Sequence, residues 1–271
     1  MSRLVVCTLW VMGLVRPALA FNCTLSDSNP LVSIHWEGRS VAWAMVAPGP
    51  SGMDSVAATE VIRGSFDAWS TAECSDLRFE MLPVIDGTGG EDDNRVLFLR
   101  DFWPHGPEAV ALTTVAHRSK DGLIQRARIE VNDSAYDFSA SVEACDGELY
   151  DLGAVLTHEV GHFIGLAHTQ ASLVLGEDTD PTMTAVVEPC DASFRTLERD
   201  DVEAICFIYP IGGAARTCAS LPEQEDPYVR TEPFGCGATG VGGASLFWIL
   251  GLALLVCLRE RRIEPTSLPS A

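Results

Sequence analysis

The run Val155-Leu156-Thr157-His158-Glu159-Val160-Gly161-His162-Phe163-Ile164-Gly165-Leu166-Ala167-His168 holds the residue types that a metal-dependent hydrolase needs. His158 and His162 lie four residues apart, so on a helix both imidazoles leave one face. Leu152, Val155, Leu156, Val160 and Phe163 form the adjacent apolar face that packs such a helix into a core. Two imidazoles do not complete a zinc site. Gly165 tolerates left-handed backbone angles, so the chain can turn sharply and bring His168 back as the third ligand. Three protein ligands leave a fourth position for water, the mark of a catalytic zinc. Glu159 follows the first histidine, close enough to reach that water without binding the metal. Zinc lowers the pKa of such a water towards about 7, and Glu159 is the expected general base for attack on a peptide carbonyl. A bare His-Glu-x-x-His is a weak signal. The extended form specifies three ligands, a base and a turn together, and core histidines on an apolar helix would not explain a carboxylate among them.

A second feature lies downstream. Pro181-Thr182-Met183-Thr184 follows the third histidine after a short loop. Here the chain resembles the metzincins, which place a methionine-containing turn beneath the zinc, and that resemblance implies that Met183 is a hydrophobic base for the ligands. A lone methionine is more often simple core packing, so this supports the site without proving it.

These residues need a scaffold. Ile34-His35-Trp36 and Val41 to Met45 read as strands, and Pro48-Gly49-Pro50 marks a loop. A helix is expected from an Asp54 N-cap, with Ala58, Ile62, Phe66 and Trp69 recurring at helical spacing. Leu77 to Met81 and Val96 to Leu99 read as strands. Ala109 to Ala116 and Ile124 to Val131 read as two more, separated by a Lys120-Asp121-Gly122 turn. The later part is mainly helical, which gives an α+β class. The glycine-rich acidic loop Asp86 to Asn94 could ligate calcium, although a solvated loop is the simpler reading and no EF-hand spacing is present.

The 271 residues suffice for one enzyme domain plus processing segments. A net charge of −20, from 38 acidic and 18 basic side chains, argues against nucleic acid as a partner. Residues 1–20 combine Arg3, an apolar run and Ala18-Leu19-Ala20, the pattern of a secretory signal ending before Phe21. Val241 to Leu258 is uncharged, near the length that spans a bilayer, and followed by Arg259, Arg261 and Arg262. The expected organisation is a signal at 1–20, a catalytic domain at 21–210, a linker at 211–235, a Gly-Cys motif with an apolar helix and arginines at 236–262, and a tail at 263–271. Of nine cysteines, Cys23, Cys74, Cys145, Cys190, Cys206 and Cys218 fall in the exported part, which suggests disulfides. Cys190–Cys206 is the pair expected, because the two bracket one turn and one helix.

On these motifs the chain resembles the matrixin-like metzincins over about residues 55–210. Ser65-Phe66-Asp67-Ala68-Trp69-Ser70 is similar to that family's first helix, and Leu197 to Ile205, with Asp200-Asp201, to its last. The resemblance implies a mixed five-stranded sheet with three main helices and one catalytic zinc in a cleft. It implies endopeptidase action on protein or peptide substrates by a monomer, and it makes Ala109 to Ala116 the edge strand on which an extended substrate lies. There are departures. A cysteine-switch segment is absent. His105 and His117 are the only candidates near a second zinc, and none is expected there. Ala185-Val186-Val187 differs from the family's usual specificity wall. Cys23 could cap the zinc, although a disulfide is the favoured role. The tail resembles C-terminal sorting signals of myxobacterial and other Gram-negative surface proteins, which implies membrane insertion before processing near Cys236 and a place at the cell envelope. A permanent single-pass anchor is the simpler alternative for the tail. A non-catalytic surface binding module on the same scaffold is the alternative function.

Overall fold

A computed structural model describes residues 21–87, 90, 94–141, 147–169, 180–218 and, for the backbone alone, 234–238. The chain enters through three short strands: β1 (Asn22–Cys23), β2 (Leu25–Ser26) and β3 (Asn29–Ser33). β4 (Ser40–Met45) then leads to helix α1 (Ser55–Ser70). β5 (Arg78–Met81), β6 (Arg95–Phe98), β7 (Ala109–His117) and β8 (Ile124–Val131) follow. β9 (Phe138–Ser139) and β10 (Tyr150–Asp151) pair in parallel just before helix α2 (Leu152–Phe163). β11 (Leu166–Ala167), β12 (Val186–Val187), α3 (Arg199–Ile208) and β13 (Phe234–Ala238) complete the order.

The central sheet has the strand order β7-β8-β6-β4-β5. β4 runs parallel to β5 and β6, and β6 parallel to β8, whereas β7 returns antiparallel to β8. The β7–β8 pair is the expected hairpin, closed by a turn in which the Arg118 carbonyl accepts from the Gly122 N–H at 2.8 Å. Parallel neighbours need a crossover, and α1 provides the one between β4 and β5. The mixed five-stranded sheet and three helices match the α+β architecture expected from the sequence. Two further strands, β13 and then β12, extend the sheet beyond β7.

α1 begins at Asp54, whose carboxylate accepts from the Val56 and Ala57 N–H groups at 3.0 and 3.1 Å. Its Ala58, Ile62, Phe66 and Trp69 are buried, as their spacing requires. Phe66 stacks on Trp43 of β4 at 4.0 Å and meets Phe163 of α2 edge-on at 5.4 Å. α1 therefore joins the sheet to α2 through one aromatic cluster. Every residue of α2 is buried. That helix is capped by Asp151, which accepts from the Ala154 N–H at 2.8 Å and pairs with both Nε and Nη2 of Arg195 at 2.7 and 2.8 Å.

Three expectations change. The strand at Ile34–Trp36 is replaced by β3, one segment earlier, and by a single bridge from His35 to Leu123. Trp36 is instead held by its side chain, whose indole N–H donates to the Phe163 carbonyl at 2.9 Å. The Cys190–Cys206 disulfide is excluded, because Cys206 is bonded to Cys74 and Cys190 to another partner. The reason is α3's orientation: it turns Cys206 towards the end of α1, where Cys74 follows the helix. Cys23, the weighed alternative cap for the metal, is bonded to Cys218.

The third change concerns the Asp86–Asn94 loop. Residues 88–89 and 91–93 lie outside the described ones, and calcium is not supported: the single His/Cys/Asp/Glu group among the described residues suited to a metal is the histidine triad. The expected signal at 1–20 and the apolar span Val241–Leu258 also lie outside the described residues. Among the described residues no helix is long and apolar enough to cross a membrane.

Candidate metal centre

His158 and His162 project from one face of α2, as their spacing requires, and their Nε2 atoms lie 3.0 Å apart. Gly165 has φ +98°, in the left-handed region, and a side chain there would collide with the Ile34 carbonyl. This turn brings His168 back, with its Nε2 3.1 Å from that of His162. All three ligand atoms lie within 4.8 Å of one another. β11 is pinned as it leaves the turn, since β1 pairs with it antiparallel and the Asn22 side-chain amide donates to the His168 carbonyl at 3.1 Å. Asn22 is a positioning residue that the sequence did not disclose. The contact spans 146 positions of chain.

The rear nitrogens of two histidines are committed. His158 Nδ1 lies 2.6 Å from the Thr182 carbonyl, and His162 Nδ1 lies 2.9 Å from the Leu166 carbonyl. A carbonyl only accepts, so each Nδ1 carries the proton and each Nε2 presents a bare lone pair. Burial pushes His158 down to about 3, with the neighbouring His168 adding to the effect against the Thr182 hydrogen bond. Burial likewise holds His162 well below its ordinary value, reinforced by His158 and His168. Both imidazoles are neutral at pH 7. Lone pairs turned on one another at such distances repel unless a cation lies among them, and neutral imidazole is the form that binds metal. The donor set fits zinc: three nitrogens from a rigid helix and turn.

Glu159 is fully withdrawn from water, on the same helix and beside the triad. The Thr113 hydroxyl of β7 donates to its Oε2 at 2.6 Å. Thr113 is also fully buried, and the sequence marked it only as a strand residue. A carboxylate so far removed from water is stabilised by the Thr113 hydroxyl, and a bound cation beside it would add to that.

Met183 is buried at 1% exposure and lies against α2. Any side chain at Gly161 would overlap its Sδ, with Trp69 closing the other side. The glycine inside the His-Glu-x-x-His run is thus a packing requirement of the methionine turn. The turn itself is held by Asp201 of α3. That carboxylate accepts from the N–H groups of Thr182 at 2.8 Å, Met183 at 3.2 Å and Glu198 at 2.9 Å. Burial raises Asp201 to about 6, against the pull of these three bonds. Its neighbour Asp200 accepts from the Thr169 hydroxyl at 3.0 Å, one residue beyond His168. The Asp-Asp pair was noticed in the sequence but given no task. Its task is to hold the two segments that follow the histidines. His105 and His117 stay apart from the triad, bonded to Glu130 at 3.0 Å and Ser26 at 3.2 Å.

Three converging imidazoles, a buried carboxylate and a methionine floor beside a mixed sheet define a metallopeptidase scaffold. The matrixin family model matches residues 35–210, more than half of the chain, and the chain belongs to the matrixin peptidase family. It is therefore a metalloendopeptidase, a zinc hydrolase acting on peptide bonds. Among curated proteins no relative matches.

Proposed function

We propose that His158, His162 and His168 hold the zinc of this endopeptidase and that Glu159 is its general base, acting on protein substrates outside the cytoplasm. The observation that carries the site is the convergence of the three imidazoles with a carboxylate fixed by Thr113. When bound, zinc supplies Lewis acidity towards water and towards the scissile carbonyl. Glu159 accepts a proton from water at its carboxylate and returns it to the leaving nitrogen. Thr113 keeps one carboxylate oxygen in place. The Thr182 and Leu166 carbonyls keep His158 and His162 in the tautomer that exposes Nε2. β7, which the resemblance made the edge strand, pairs with β13 on that side in this structure; its outer backbone groups are the ones an extended peptide would use by strand addition.

The disulfides Cys23–Cys218 and Cys74–Cys206 support an oxidising compartment, in line with the secretory pattern of residues 1–20. The test is zinc content together with hydrolysis of casein or gelatin by the protein with its cysteines oxidised. One zinc per chain is expected, with activity lost to a chelator. Glu159→Gln should keep the zinc and lose about 100-fold or more in rate. Zinc without hydrolysis of any broad substrate would favour the non-catalytic binding module, and folded protein without zinc would remove the site.

A further inference from the structure

The outer edge of β7 is taken by the chain's own β13. Phe234 pairs with Thr113, Gly235 with Leu112, Cys236 with Ala111 and Gly237 with Ala109, antiparallel and with a bulge between Cys236 and Gly237. On its other side β13 runs parallel to β12, with Gly237 against Val186 and Ala238 against Val187. β13 thus fills a slot between two strands, and it also lies against α2.

Both walls of this slot are wired to the metal centre. Thr113, opposite Phe234, is the residue that donates to Glu159. β12 follows by three residues the Met183 turn, whose Thr182 carbonyl faces His158. An extended peptide that adds to β7 beside Glu159 uses the same N–H and C=O groups of β7 that β13 now satisfies. The two occupants exclude each other.

We infer that Phe234–Ala238 is the resident occupant of the substrate slot and keeps the full chain latent against other substrates. The inference rests on the metalloendopeptidase reading above. Its sequence suits the role: Phe-Gly-Cys-Gly-Ala holds no charged residue and no proline to interrupt a ladder. Cys218, fixed by its disulfide to Cys23, is the nearest described anchor. The sixteen peptide steps from it to Phe234 span up to about 50 Å when extended, which does not limit the reach. A tether of this length holds the segment at an effective concentration of order millimolar, so even a weak strand competes with a free substrate.

The test compares the otherwise complete chain with a variant carrying Gly235→Pro and Gly237→Pro, which removes two donors and restricts the strand. The first measurement is hydrogen exchange of residues 109–113 in a Glu159→Gln background, where self-cleavage cannot confuse the result and no activity is needed. The prolines should raise exchange of the β7 amides that face away from β8, while α1 and α2 stay protected as a control on folding. The second measurement is peptide hydrolysis by the active forms. Release should lower KM at least about tenfold and leave kcat unchanged. A synthetic Thr231–Gly240 peptide with Cys236→Ser, which removes the thiol, should restore the higher KM competitively. Equal exchange at β7 and equal KM in both forms would overturn the inference while leaving the peptidase reading intact. Absence of hydrolysis in both forms, with β7 exposed by the prolines, would sink the peptidase reading and leave the occupancy standing.

Discussion

The two sides of the site are built by different means. The inner wall, from α2 and the Met183 turn, is fixed by buried side-chain hydrogen bonds: Thr182 and Leu166 carbonyls behind two imidazoles, Thr113 on Glu159, Asp201 beneath the turn. The outer side, β7, β13 and β12, is held by backbone pairing, with Val186 45% exposed. Buried polar bonds are costly to break and do not exchange, which suits groups that must meet a reacting atom within a fraction of an ångström. Backbone pairing at an edge accepts any extended chain, which suits a surface that must take and release peptides. Mutations on the inner wall should therefore damage metal binding, stability or kcat, and changes at the edge should appear in KM.

The largest effect is expected at the centre of the triad. His162 touches both other imidazoles, so His162→Ala should weaken zinc binding by more than the roughly 100-fold typical of outer positions, as measured by competition with a chelator. Unchanged zinc affinity would mean that the inner wall is not built around a metal. Gly161→Ala comes next. The added methyl meets Met183 and Trp69, both buried, and should cost about 1–3 kcal/mol in a urea titration. A neutral result would show that the methionine floor yields as readily as the edge does.

The pH dependence of the metal-free protein tests the same wall. Above pH 6.5 His158 is neutral whether folded or not, and burial costs nothing through its charge. Below 6.5 the unfolded chain binds the proton while the buried ring, at about 3, does not. Stability is thus full above pH 6.5 and is lost as the pH falls towards 3, by about 2 kcal/mol at pH 5 from this residue alone. His162 acts in the same direction. The urea midpoint should fall across this window, and a His158→Gln, His162→Gln variant should show a shallower fall. Equal slopes would remove the buried imidazoles as its cause.

The contrast also explains what the sequence disclosed. The triad, Glu159 and the first helix were legible because helical spacing and a glycine turn are local rules, and the structure places His158, His162 and His168 together as those rules require. Five strands were legible from apolar runs. Thr113, Asn22 and the duty of Asp201 were not, because each acts across tens of positions on a group that carries no local mark. The disulfide error has the same origin. Cys190 and Cys206 are near in sequence, but the chain crosses back over 132 positions to join Cys206 to Cys74. The pairing of β13 with β7 was equally hidden, since a glycine-rich pentapeptide carries no strand signal of its own.

Thr113 gives the smallest expected effect and the sharpest one, because it belongs to both sides. Its backbone pairs with Phe234 in the slot, and its hydroxyl donates to Glu159. Thr113→Val keeps the strand and the side-chain shape but deletes the donor. If the hydroxyl serves the inner wall, kcat should fall about tenfold, equivalent to about 1.4 kcal/mol of barrier, with KM unchanged. Thr113→Ser, which restores the donor, should recover most of the rate. A loss that appears in KM, or that serine fails to rescue, would place Thr113 with the edge and move the boundary between the two sides by one residue.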